Sequence, residues 1–218
     1  VSPESLIVNP RHNHVRDCAG GFAYNTYMAY QTYTTEALVC GSYDRLTADR
    51  TYLLFTETAG MVFATARSAR EERSKQRFAL QDFAHVRVSL VKGKSGWRIG
   101  SVEPLINYYS SAPSRAARGT VVSTVQLLRR LLVGEDAHPE IFADTKAILA
   151  ASSSADEATL PVSLETYTLR TLAHLGYVPH DAAYTDALAT DGAWLTRREP
   201  LPAAAAQAIK AGFNASHL

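Results

Sequence analysis

From Glu36 to Val102 apolar side chains recur in short runs broken by turn residues, a pattern that predicts successive β-strands. Glu36 to Tyr43 is the first, rich in residues suited to a pleated, half-buried surface. Thr51 to Thr56 is the second, Ala59-Gly60 supplies a turn, and Met61 to Arg67 is the third. Phe83 to Val91 alternates cleanly, with Val86, Val88 and Leu90 on one face and Arg87 and Ser89 on the other. "KGKSG" makes the next turn, and Trp97 to Val102 is the last strand. Five short antiparallel strands predict a small barrel, with an OB-like Greek key as its topology.

After "SSAPSRAARG", which reads as a linker, the period becomes helical. Val121, Val125, Leu128 and Leu132 follow helical spacing, and Val122 and Leu131 broaden the stripe. Pro139 suits the first turn of a helix running to Ala151. Leu164 to Leu175 is another helix, with Gly176 at C′ and Pro179 beyond, and Ala203 to Ala211 is the last. The expected fold class is α+β: an N-terminal five-stranded antiparallel OB-fold β-barrel over 28–107, then an all-helical C-terminal domain over 113–218. Val1 to Tyr27 lacks apolar periodicity and reads as a disordered extension, Met28 being a natural beginning.

Composition narrows the class without choosing within it. Apolar residues are 46% of the 218 and charged residues 20%, as in ordinary globular proteins. No stretch approaches the ~20 apolar residues of a membrane span. The first residues show no secretory pattern. Cys18 and Cys40 form neither a disulfide framework nor a zinc spacing, and His12, His14 and Cys18 have no second cluster to complete a metal site. A reducing cytoplasm is the expected compartment, and Asn214-Ala215-Ser216 is a chance glycosylation match.

Charge is distributed unevenly. Net charge is only +1, yet Met61 to Gly100 holds nine Lys/Arg against three acids. A local basic field of this kind attracts phosphate backbones, although a solvated face is the commoner meaning of a charge run. Between strands three and four, a mobile loop is expected to present Arg67, Arg70, Arg73, Lys75 and Arg77, with Arg87, Lys92, Lys94 and Arg98 extending the field. Each cation can neutralise one phosphate, which makes binding salt-dependent. Stacking platforms would add affinity for single strands. Tyr43, Phe63 and Trp97 are the candidates: the pattern favours core for Phe63 and exposure for Trp97, which adjoins Gly96 among charges.

The segment "LLFTETAGMVFATARSAREERSKQR…LQDF" resembles the amino-terminal barrel of the RecO family of bacterial recombination mediators. Phe55-Thr56, Gly60, Arg67, Ala69-Arg70, Ser74 and Leu80-Gln81-Asp82-Phe83 occupy the family's places in order, and Glu103 sits where an acid often ends its barrel. Downstream, "LRTLAHLGYVP" is similar to the family's "L-x-x-LGY" helix end. Ser68 stands for the usual glycine, Glu71 for a base and Asp82 for a proline. The four-cysteine zinc cluster of many relatives is absent after Tyr177, so no metal is expected.

The resemblance implies a cytoplasmic, nucleoid-associated protein that binds single- and double-stranded DNA and anneals strands. It also implies partnership with RecR and with the C-terminal tail of single-stranded-DNA-binding protein, serving the loading of RecA. Arg129 and Arg130, which interrupt an apolar helix, are the candidates for capturing that acidic, apolar tail; a polar helix face is the plain alternative. His174 reads as a helix-end residue meeting the C-terminal dipole rather than a catalyst. No nucleophile with a base, carboxylate pair or phosphate-cradling glycine loop emerges, so a binder without catalytic residues or cofactor is expected. The alternatives are a generic OB-fold binder of RNA or single-stranded DNA and a protein-interaction adaptor with a helical docking module.

Overall fold

A computed structural model of the chain describes residues 32–45, 49–69, 71, 74–94, 96–154 and 156–216. The expected extension at 1–27 lies outside the described residues. Five strands, β1 (Thr32–Arg45), β2 (Asp49–Thr56), β3 (Gly60–Ala66), β4 (Ala84–Gly93) and β5 (Gly96–Asn107), close into a barrel in the order β1-β2-β3-β5-β4. That order is the OB-fold's. β1 closes it by serving two neighbours, β4 from Thr32 to Leu38 and β2 from Ala37 to Arg45. Its register shifts between Val39 and Gly41, a bulge of the kind that lets one strand coil round a tight barrel. The ladders are antiparallel except β3–β5, which is parallel and joins only Ala64 to Trp97 and Thr65 to Arg98. The expected five-stranded OB-type barrel is present, and the one parallel pair is where closing a five-strand Greek key brings two strands together in the same direction.

Side-chain alternation fills the interior. Val39, Tyr52, Leu54, Val62, Ala64, Val86, Val88, Leu90 and Trp97 share one buried cluster. The outward residues Leu38, Cys40, Leu53, Phe55 and Met61 are buried too, against Val121, Val125, Leu128, Ile141 and Phe142 of the helices. "ALVC" and "YLLF" are therefore continuous apolar runs because both faces of these strands are covered.

The helices follow their sequence signals closely. α1 (Lys75–Ala79) lies between β3 and β4, and α2 (Tyr108–Ser111) follows the barrel. α3 (Arg115–Leu131) opens on Ser114, whose side chain accepts from the Ala117 N–H, so the expected linker shrinks to Ala112-Pro113-Ser114. α4 (Pro139–Ala151) begins on its proline. α5 (Leu160–His174) starts one turn earlier than expected, and α6 (Thr185–Leu188) and α7 (Ala203–Ala215) complete the set. α5 ends in a Schellman motif: the Tyr177 N–H reaches the Leu172 carbonyl at 2.9 Å, the Gly176 N–H reaches Ala173 at 3.0 Å, and Gly176 takes φ +78°. His174 does more than meet a dipole, since its Nε2 lies 3.2 Å from the Asp144 carboxylate.

The loop between α3 and α4 reaches back onto the barrel where β3 and β5 part. The Met61 N–H donates to the Gly134 carbonyl at 2.9 Å, so the loop supplies a partner that β5 does not. Gly60 permits this approach. A Cβ there would stand 2.2 Å from the Asp136 carbonyl oxygen, and φ is +64°.

Candidate nucleic-acid interface

Arg67 leaves the end of β3 in a turn whose Ser68 N–H donates to the Asp49 carboxylate at 3.1 Å. Arg70 and Arg73 lie outside the described residues, as does the Lys75 side chain. The segment expected to be a mobile loop contains α1, fixed by Gln76, whose side-chain amide donates to the Gly100 carbonyl at 3.1 Å. Ala79 and Leu80 are buried beneath it, while Arg77 and Phe78 are exposed. Arg67 and Arg98 line one shallow depression with Gln76 and Gly100, so cations from β3 and β5 converge across the tethered helix. Arg77 lines a second depression with Ser42, Arg50, Gln81 and the carboxylate-bearing Asp82. Lys94 is exposed at the β4–β5 turn.

Arg87 and Lys92 stand apart from this convergence. Arg87 donates to Glu103 at 3.1 Å and lies 3.8 Å from Glu36. Lys92 donates to Glu135 at 2.6 Å, and Glu135 also accepts the Trp97 indole N–H at 2.9 Å. Hydrogen bonds from Lys92 and then Trp97 hold the Glu135 carboxyl below the usual carboxylate range. A phosphate approaching Lys92 must therefore displace a carboxylate, which lowers the net gain.

The aromatic candidates exchange places relative to expectation. Trp97 is 7% exposed and packs edge-on to Tyr33 in the barrel core, so it is not a surface platform. Phe63 is 59% exposed, because Val62 and Ala64 on either side occupy the interior and leave Phe63 the outward phase. Tyr43, 45% exposed, lies 6.1 Å from Phe63 between ring centroids.

In the helices, Arg129 donates to the Tyr43 hydroxyl at 3.1 Å, so it belongs to the barrel face. Arg130 sits over the Phe213 ring at 4.7 Å and lines a groove with Leu127, Leu164 and Thr168. The two arginines are adjacent in sequence but serve different surfaces. Sequence reasoning missed Glu135 and Glu36, the carboxylates that engage the outer cations. Glu36 accepts from Lys146 at 3.0 Å and meets His85 Nε2 at 3.0 Å. The Lys146 hydrogen bond leads the effects that hold its carboxyl low, against the opposing cost of burial. The local signal for Glu135 was "VGEDAHP", an acidic, glycine-containing connection between helices.

Among the described residues no group of three or more His, Cys, Asp or Glu is placed to hold a metal ion. No helix among them is long and apolar enough to cross a membrane.

Comparison with known proteins carries the same pattern. Residues 28–108 match the family model described as the recombination protein O N terminal domain. The DNA repair protein RecO of Myxococcus xanthus is 30% identical over 152 residues, covering 68% of this chain and 61% of that protein. The DNA repair protein RecO of Desulfitobacterium hafniense is 29% identical over 147 residues, covering 67% of this chain and 53% of that protein. The chain thus spans between 53% and 61% of the length of these relatives. The OB-order barrel and the matched region together identify residues 28–108 as an N-terminal region of the RecO family, and about two thirds of the chain is similar to RecO DNA repair proteins.

Proposed function

We propose that this chain is a non-enzymatic mediator of DNA repair that grips the phosphate backbone of single and double strands and promotes their annealing. The observation that carries the reading is the convergence of Arg67 and Arg98 beside α1 on a closed OB-type barrel, with Arg77 exposed on that same helix. Annealing needs neutralisation of two like-charged backbones, and cations clustered on one edge supply it without a nucleotide. The similarity to RecO proteins supports partnership with RecR and a role in loading RecA. The groove beside Arg130, part cationic and part apolar, suits the acidic, apolar tail of single-stranded-DNA-binding protein.

The test is the salt dependence of binding to fluorescent single-stranded DNA. Affinity should fall steeply with salt in the native chain. Replacing Arg70, Arg73, Lys75 and Arg77 together by Ala should flatten the slope of log K against log[salt] by about 0.7 for each phosphate left without its cation. An unaltered slope removes this segment from the mechanism. Preference for RNA would favour a generic nucleic-acid binder, and ATP turnover by the purified chain would overturn the non-enzymatic reading.

A further inference from the structure

The outer surface of β1, β2, β3 and β5 carries a row of side chains in register. Tyr43 is paired with Thr51, Thr51 with Thr65, and Thr65 with Arg98. The two threonine hydroxyls lie 3.3 Å apart, which places both on this outer face. Phe63 stands beside the row, two residues from Thr65 on the same strand and therefore on the same side. Two of the aromatic side chains on these strands are buried: Tyr52 is fully enclosed, and Trp97 packs in the barrel core. Phe63 and Tyr43 remain open to solvent as a tilted pair, 52° between planes.

Arg129 donates from α3 to the Tyr43 hydroxyl at 3.1 Å. The anchored Tyr43 ring gives Phe63 an aromatic neighbour at the surface. Cations flank it on two sides, Arg129 beyond Tyr43 and Arg98 at the far end of the row. Glu135 also lines the depression that Phe63 shares with Thr51 and Thr65, and it is engaged by Lys92 and Trp97. An aromatic platform with cations at its two ends matches a strand with exposed bases and charged phosphates. It does not match a duplex, whose bases are stacked on one another and out of reach.

We infer that the Tyr43–Phe63 face is a stacking platform for unpaired bases, which gives the chain a preference for single-stranded DNA over duplex. The inference rests on the DNA-binding reading above and sharpens it by assigning strand choice to aromatic side chains and general affinity to the arginines. The strand runs across the row, with bases on Phe63 and Tyr43, base edges within reach of the Thr51 and Thr65 hydroxyls, and phosphates toward Arg98 and Arg129.

The experiment measures the full chain and its Phe63→Ala and Phe63→Leu variants against three labelled probes. These are a single strand of about 16 nucleotides, the same sequence as duplex, and an abasic strand of equal length. Phe63 is exposed, so neither variant removes core packing. Phe63→Ala should weaken single-strand binding by about 5- to 150-fold, the equivalent of ~1–3 kcal/mol for a missing stacking partner. Phe63→Leu should weaken it as well, because bulk without a π-face does not stack. Duplex and abasic binding, and the salt slope, should stay as in the native chain. Equal loss on all three probes, or no loss on the single strand, overturns the platform while leaving the arginine-based reading standing. Absence of DNA binding by the native chain overturns both, and tighter binding of an RNA strand of the same sequence overturns the choice of DNA.

Discussion

Ser68 takes φ +51°, a left-handed conformation that a side chain adopts at a cost of roughly 1–2 kcal/mol. This is the position where the RecO-type loop has glycine, and the geometry shows why: the turn must reverse direction between β3 and α1 while its N–H reaches Asp49. Ser68→Gly should relieve the strain, offset in part by the freedom glycine gains in the unfolded chain. The expected result is a gain of no more than about 1 kcal/mol in urea unfolding, with no loss of DNA affinity. A loss of stability would mean that the serine side chain contributes more than its backbone costs. The rings teach a related lesson about legibility. Strand phase was readable around Phe63, since small residues flank it, but hydrophobicity alone argued for burial. Trp97 looked exposed because its neighbours are glycine and charges; its ring packs in the core against Tyr33 while its N–H meets Glu135, which lies 38 residues away in sequence.

The strands and helices themselves were largely legible, because each has a local cause: alternation in β4, Pro139 opening α4, Gly176 closing α5. What lacked a local cause was how they lock together. The α3–α4 loop meets β3 through the Gly134 carbonyl, and nothing in "VGEDAHP" names β3 as its partner. Gly60→Ala tests this seat directly. The added Cβ would collide with the Asp136 backbone and place alanine at positive φ, so the loop must lift. The Met61 amide, which donates to Gly134, should then lose hydrogen-exchange protection, and stability should fall by at least ~1–2 kcal/mol. Retained protection at Met61 would show that the loop can shift without letting go. Arg170, in the family-like "LRTLAHLGY" segment, is another tie that periodicity concealed. It is 4% exposed, bonds Asp144 at 2.8 Å and the Ala189 carbonyl at 2.6 Å, and lies over Trp194. A buried arginine on an apolar helix face becomes intelligible only when its partners from other elements are in place.

Between barrel and helices runs a titratable seam. His85 is buried between Glu36, Tyr108 and Phe142, and burial pushes its pKa below the ordinary 6.5, against the pull of Glu36. Lys146 and Glu57 act on the same ring, with opposite signs. Because folded His85 takes up a proton less readily than unfolded His85, its contribution is complete above pH ~6.5 and is lost as pH falls toward the folded value. Glu36, Glu135 and Asp144 have lowered pKa values, so what they contribute is present above the ordinary carboxylate range and lost in stronger acid. For Asp144, burial acts to raise the value, and hydrogen bonds from His174 and Arg170 outweigh it. The urea midpoint should therefore decline in two stages, first below pH ~6.5 and again below pH ~4. His85→Gln should abolish the first stage and keep the second. A first stage that survives the substitution would place the neutral-range titration elsewhere.

The two-residue parallel contact between β3 and β5 has a bearing on how such proteins can be cut. A fragment ending at Asn107 keeps every strand, yet it forfeits the helical cover over Leu38, Phe55 and Met61 and the loop that finishes the cylinder. It would present raw sheet edge and bare oily surface, an invitation to self-adhesion. Dissection at the boundary that homology suggests would thus yield a sticky half-product, and its behaviour toward DNA would say little about the intact chain.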